Sequence, residues 1–282
     1  MSGDQRPTQQ LAPGQPTPGQ PTQPIPGQPT QPPIPGPHQR RSAARTVVVW
    51  EALRELLDPR RTEVSATPYE VVDIGGGTGG FAVRVAELGH RVTVVDPSPD
   101  ALATLARRAE ESGVADRVTA RQGDLGTVAD LVPAGSVDVV LCHGVLEIVE
   151  DPAVALATIA GLLRPGGSLS LLVNQRHAAV FARAMAGHFS QALALLDPPT
   201  QPGGGGGSQR FTSEEVTAVL DDAGFDIVAL HAVRVFVDLV PSSLADLEPG
   251  ATERLVELER AVADRPEYLP LGTQVHVLAR RR

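Results

Sequence analysis

The chain has 282 residues, 41% hydrophobic and 20% charged, which suits a globular protein rather than a wholly disordered or fibrous one. Its 24 basic residues are all arginine, and against 33 acids they leave a formal net charge of −9, the opposite of the basic face that nucleic-acid binders usually carry. Cys142 is the single cysteine, which excludes an internal disulfide and a cysteine-built zinc site, and no ligand cluster suggests any other metal. No apolar run reaches 18 residues and no basic-then-apolar leader opens the chain, so the expectation is a cytoplasmic protein with no membrane partner.

Residues 1–41 form the first segment. Twelve of the 26 prolines fall between Pro7 and Pro37, and Pro-Gly-Gln-Pro-Thr occurs at residues 13–17, 18–22 and 26–30. Such a segment has nothing to bury against the entropy of ordering and predicts a disordered tail. Residues 42–282 then form one domain. Val47, Val48, Trp50, Leu53, Leu56 and Leu57 recur at helical spacing, giving a helix over Ser42 to Asp58. Strands are expected at Tyr69–Ile74, Arg91–Val95, Arg117–Arg121, Val137–Cys142 and Ser168–Val173. Helices are expected between them at Gly79–Leu88, Pro99–Glu111 and Pro152–Leu163. That alternation predicts an α/β fold with a doubly wound, mostly parallel sheet. Phe225–Val237 and Gln274–Ala279 add two strands around a helix at Ala251–Ala263, making seven. An irregular insert, 177–211, containing Gly203–Gly207, separates them from the fifth strand.

The sharpest motif is Asp73-Ile74-Gly75-Gly76-Gly77-Thr78-Gly79-Gly80, a strand running into glycines just before a helix. Glycine there allows close backbone approach by a ligand, beyond the carboxyl ends of the strands. Gly75-x-Gly77-x-x-Gly80 with Asp96 about 20 residues on also satisfies the dinucleotide fingerprint, so a dehydrogenase is one alternative. Asp73 argues otherwise, because an acid just before the glycines repels a pyrophosphate. With Asp124 closing the third strand, three carboxylates ring one crevice and suit a cationic ligand bearing an amine, a diol and an adenine, such as S-adenosylmethionine.

The set Asp73–Gly79, Val95-Asp96, Gly123-Asp124 and Leu163-Arg164-Pro165-Gly166-Gly167 resembles the class I S-adenosylmethionine-dependent methyltransferases, with their Rossmann-like fold. The resemblance implies that Asp73, Gly75, Gly76 and Gly77 line the methionine side. It assigns Asp96 to the ribose hydroxyls, and Gly123 and Asp124 to the adenine. Cys142-His143-Gly144-Val145-Leu146-Glu147, the run from His177 to Phe189, Val233-Arg234-Val235-Phe236 with Asp238, Glu267-Tyr268 and His276-Val277 are similar to the tRNA 5-carboxymethoxyuridine methyltransferase family. That narrower resemblance adds Arg45, five residues before Trp50, and His143 as cofactor contacts. It implies a carboxylate acceptor on a tRNA wobble uridine.

At the substrate end, His143 leaves the fourth strand where it could orient a nucleophile or bind the cofactor's carboxylate. A carboxylate acceptor calls for arginine's bidentate fork, for which Arg176, Arg210 and Arg234 are the candidates, Arg210 and Arg234 foremost. His177 and Tyr268 are further substrate candidates, while Glu257 and Glu259 read as surface or ion-pair residues. The family's lysine run in the insert corresponds here to Gly203–Gly207, so two alternatives stay open. They are a small-molecule acid or hydroxyl acceptor, and an adenosyl-binding module without turnover.

Overall fold

A computed structural model describes residues 37–58, 67–196, 209–241 and 250–282, with side chains from Ala43 onward. The expected tail up to residue 36 and the Gly203–Gly207 run lie outside the described residues. Helix α1 spans Pro37–Leu56 and so begins five residues before Ser42. Val48, Val49, Ala52 and Leu53, one helical stripe continued by Leu57, are buried, as the i, i+4 spacing requires.

Seven strands follow, in the order β3-β2-β1-β4-β5-β7-β6. They are β1 (Glu70–Ile74), β2 (Arg91–Asp96), β3 (Val118–Gln122), β4 (Val137–His143), β5 (Leu163–Asn174), β6 (Phe225–Val233) and β7 (Gln274–Arg281). The first five run parallel, and β7 is antiparallel to both β5 and β6. Helices α2 (Ala82–Glu87), α3 (Pro99–Glu111), α4 (Val128–Leu131) and α5 (Pro152–Leu162) make the crossovers. Ser98 and Asp151 accept from backbone N–H groups of the first turns of α3 and α5, and a proline follows each cap. Alternation within strands sends Val72, Ile74, Val140, Cys142, Leu169 and Leu171 into one layer of core and Val71, Val92, Val94, Val139, Leu141 and Leu172 into the other. The chain departs from β1 in opposite directions to reach β2 and β4, which puts a switch point at the carboxyl ends of β1 and β4.

Several expectations need correction. The insert is not irregular where it is described. Its residues form α6 (Arg176–Met185) and α7 (Phe189–Ala194), the first capped by Gln175, whose Oε1 accepts from the His177 N–H at 2.8 Å. Helix α8 (Ser213–Asp222) was not expected, although Thr212 and Glu215 form a reciprocal capping box that marks its start. The fifth strand, expected to start at Ser168, begins at Leu163, and its register with β4 shifts between Val137 and Val139. Finally, β6 stops at Val233, not Val237. The amides of Val235, Phe236 and Val237 all donate to the Glu259 carboxylate, at 3.0, 2.8 and 2.7 Å, and so cannot extend the ladder. Glu259, on α9 (Ala251–Ala263), is therefore an interior anchor rather than a surface residue.

Candidate functional site

At the switch point, β1 delivers Asp73 and then Gly75, Gly76 and Gly77. Gly75 and Gly77 have φ of +69° and +54°, where a side chain is strained. A Cβ on Gly75 would lie 2.5 Å from Val145 Cγ2, and one on Gly76 would lie 2.5 Å from the Asp73 carboxyl. The loop is thus wedged between β1's own aspartate and the segment after β4, and only glycine fits. Asp73 is buried, and burial, reinforced by the neighbouring Asp96, raises its pKa to about 7.

Asp96 ends β2 with one oxygen accepting from the Gly77 N–H and the other from the Ser98 N–H, both at 2.9 Å. A carboxylate offers about four acceptor sites, so both oxygens keep capacity for a diol. Together these features fit an adenosyl cofactor: a backbone cradle, a buried acid suited to a cation, and a second acid with unused acceptor sites. Asp124 differs. Its Oδ1 accepts from the Thr127 N–H at 3.0 Å and hydroxyl at 2.9 Å, closing the turn into α4. A Cβ on Gly123 would lie 2.6 Å from Leu131 Cδ1 and 2.9 Å from Thr127 Oγ1, so packing against α4 already favours a small residue there.

His143 ends β4, with Phe81 packed edge-on to its ring at 5.0 Å between centroids. Its Nε2 lies 2.9 Å from Ser170 Oγ, while the buried Nδ1 has no partner among the described residues. Burial lowers its pKa to about 4, so the ring is neutral at physiological pH.

The expected arginines separate into three places. Arg176 is buried, and its fork pairs with both oxygens of Glu215, at 2.8 and 2.6 Å, and with the Arg210 carbonyl at 3.0 Å. It is buried and ties α6 to α8 through three of its five N–H donors, so this expected substrate residue has a structural role in holding the two helices together. Arg45 pairs with Asp238 at 2.7 Å, and Arg234, the described non-glycine residue with positive φ (58°), donates to the Arg45 carbonyl at 3.4 Å. These two therefore meet each other where β6 passes α1. Arg210 is half-buried beside a cavity of about 290 Å³ that Gln175, Arg183, His188 and Thr273 also line. Burial first, then Arg183, lowers the pKa of Arg210, while Glu147 opposes the shift. His177 is exposed at the start of α6, and Tyr268 packs with Phe236 in a small cluster with Ala232, Val235 and Val262.

Sequence reasoning missed Arg183 and Glu147. Glu147 is buried and its Oε1 accepts from the Asn174 N–H at 3.0 Å, while Oε2 has no described partner. It also missed Ser170, His231 and His276, although a polar residue at an inward position of an apolar strand, as in Leu169-Ser170-Leu171 or Val275-His276-Val277, is a visible anomaly.

A glycine cradle flanked by two aspartates, at the switch point of a parallel sheet with one antiparallel strand inserted between β5 and β6, defines an α/β enzyme of the nucleoside-binding class. A family described as a methyltransferase domain matches residues 72–171. The chain is 31% identical over 247 residues to the tRNA 5-carboxymethoxyuridine methyltransferase of Escherichia coli K12, covering 84% of this chain and 88% of that one. It is 37% identical over 147 residues to the ubiquinone biosynthesis O-methyltransferase of Xanthomonas euvesicatoria, covering 50% of this chain and 59% of that one. Among solved structures, an S-adenosylmethionine-dependent methyltransferase from Mesorhizobium loti superposes with a TM-score of 0.55 at 23% identity, covering 86% of this chain and 100% of that one. Geranyl diphosphate methyltransferase with sinefungin gives 0.54 at 18%, covering 84% and 79%. The chain belongs to the class I S-adenosylmethionine-dependent methyltransferases, in the family of the tRNA 5-carboxymethoxyuridine enzymes. The dehydrogenase alternative falls with that membership.

Proposed function

We propose that this enzyme methylates a carboxylate oxygen, and that the carboxylate is that of 5-carboxymethoxyuridine in tRNA. The observation that carries the reading is the reach of the similarity to the E. coli enzyme. It covers 84% of this chain, whereas the generic domain ends at residue 171, so it extends through the insert that lines the Arg210 cavity. Bound at Asp73, Gly75–Gly77 and Asp96, S-adenosylmethionine supplies an electrophilic methyl group on a sulfonium sulfur. The protein's task is then placement. A carboxylic acid of ordinary pKa near 4 is already ionised at neutral pH, so no general base is needed. Holding reactants in line is worth an effective molarity of about 10^5 M or more. Arg210, with Arg183 across the same cavity, supplies the cationic grip.

Incubation with methyl-labelled cofactor and tRNA bearing 5-carboxymethoxyuridine should give label that mild base releases, the behaviour of an ester. Arg210→Ala should raise KM for that tRNA roughly tenfold or more, since hydrogen bonds to charged groups are worth about 1.5–3 kcal/mol, with cofactor affinity retained. The absence of lysine and the net charge of −9 favour a second reading, a small hydroxyl or acid acceptor. Base-stable label in a metabolite extract, with none in tRNA, would replace the first reading by the second.

A further inference from the structure

A row of polar side chains crosses the sheet on the α1 side, over β4, β5, β7 and β6. His143 Nε2 lies 2.9 Å from Ser170 Oγ, which lies 2.8 Å from His276 Nε2. His276 Nδ1 lies 3.0 Å from His231 Nδ1, with the two ring planes 20° apart. His231 Nε2 lies 3.4 Å from Asp264 Oδ1, at the carboxyl end of α9. Ser170 and His276 are fully buried, while the Asp264 side chain is 82% exposed.

Counting protons along this row leaves two arrangements. Two imidazole nitrogens 3.0 Å apart share one proton, and a hydroxyl between two ring nitrogens donates to one and accepts from the other. Each link therefore dictates the next. If His231 Nε2 carries a proton, His276 donates from Nδ1, Ser170 donates to His276 Nε2, and His143 donates from Nε2 to Ser170. In the reverse arrangement, the His231 Nε2 lone pair faces the Asp264 carboxylate and the negative end of a helix, which electrostatics disfavours. Burial keeps all three rings neutral, with His143 lowered to about 4, His276 well below its usual value and His231 lowered as well. The neutral-chain count therefore applies.

We propose that Ser170, His276 and His231, polarised by Asp264, are positioning residues that fix the proton of His143 on Nε2. They thereby present Nδ1 to the site as an acceptor for an O–H or N–H donor of the bound ligand. The buried Nδ1, without a partner among the described residues, is the other end of the chain, at the carboxyl end of β4 beside the switch point. A lone pair there repels a carboxylate. The carboxylates of cofactor and acceptor are accordingly held elsewhere, and His143 selects the ligand's ammonium or a hydroxyl.

The test uses the full chain labelled with 15N-histidine. Long-range proton–nitrogen correlations should show His143 protonated on Nε2 and bare on Nδ1. Asp264→Lys puts a donor against His231 Nε2 at an exposed position, and should move the His143 proton to Nδ1 with the thermal midpoint unchanged. A wild-type His143 protonated on Nδ1, or the same tautomer in both proteins, overturns the proposal.

Activity gives a second readout, resting on the methyl-transfer reading. Asp264→Lys should lower kcat/KM about fivefold, the scale of an exposed charge interaction, but should have no further effect in a Ser170→Ala background. An equal loss in both backgrounds means that the effect does not travel through the chain, and sinks the idea. Calorimetry with S-adenosylhomocysteine separates the two donors. Weaker binding by Asp264→Lys assigns the cofactor's ammonium, whereas unchanged binding with a raised acceptor KM assigns the acceptor's hydroxyl; a change in neither contradicts the proposal. Should wild-type protein transfer no methyl group to tRNA, the tautomer measurement still decides.

Discussion

The chemistry of Asp73 is set by its surroundings. Burial and Asp96 raise its pKa from 3.8 to about 7, so it is part-protonated at neutral pH. A cation placed beside it favours the ionised form and expels the proton. Cofactor affinity should therefore fall as pH drops below 7, by up to about tenfold per pH unit, while Asp73→Asn should bind more weakly at pH 8 and lose that dependence. Calorimetry across pH 6–8 measures both, and a wild-type affinity flat over that range would refute the role. The sign for stability is opposite. The folded state binds the proton more tightly than the unfolded chain, so stability from this group is present below pH 3.8 and is lost as pH rises through about 7. Asp73→Asn should then raise the midpoint of urea unfolding at pH 8. The turn that brings Asp73, Asp96 and the glycines together was legible in the sequence, because it depends on local backbone geometry that glycine provides. Arg176 was not, because its partner Glu215 sits 39 residues away and only packing reveals that its fork is occupied.

At the scale of elements, buried carboxylate and imidazole groups decide where strands end and how they are lined. Glu259 takes three consecutive amides, which stops β6 at Val233 and sets the path on which Arg234 and Asp238 meet Arg45. Periodicity showed an apolar run from Phe225 to Val237 and could not show that its last amides are captured by a helix more than twenty residues on. Removing that carboxylate strands buried donors at about 1–3 kcal/mol each. Glu259→Ala should lose roughly 3 kcal/mol or more in urea unfolding, and Glu259→Gln, which keeps one acceptor oxygen, clearly less. A loss below about 1 kcal/mol for the alanine variant would mean that the segment finds other partners. The same reasoning explains the insert, where glycine-rich neighbours hid the helix-forming run Arg176–Met185 and its Gln175 cap.

For the whole molecule, the order of strands and helices was readable because a parallel sheet forces alternation, and the crossover helices α3 and α5 carry their own caps. The acceptor's identity was less readable, since it depends on how charge is spread over a surface rather than on any motif. That distribution bears directly on a tRNA substrate. The chain carries −9 overall without a lysine, so long-range attraction to a polyanion is lacking and binding must rely on local arginines. Each neutralised phosphate contributes about 0.7 to the slope of log affinity against log salt for single strands. If tRNA recognition rests on the acceptor cavity, with Arg210 on the acceptor's carboxylate and Arg183 on one flanking phosphate, tRNA affinity should fall with a slope no steeper than about −1, and Arg183→Ala should flatten it by about 0.7. Filter binding from 50 to 300 mM salt reads both slopes. A wild-type slope several times steeper would place the tRNA on a larger basic surface and remove the cavity from its recognition.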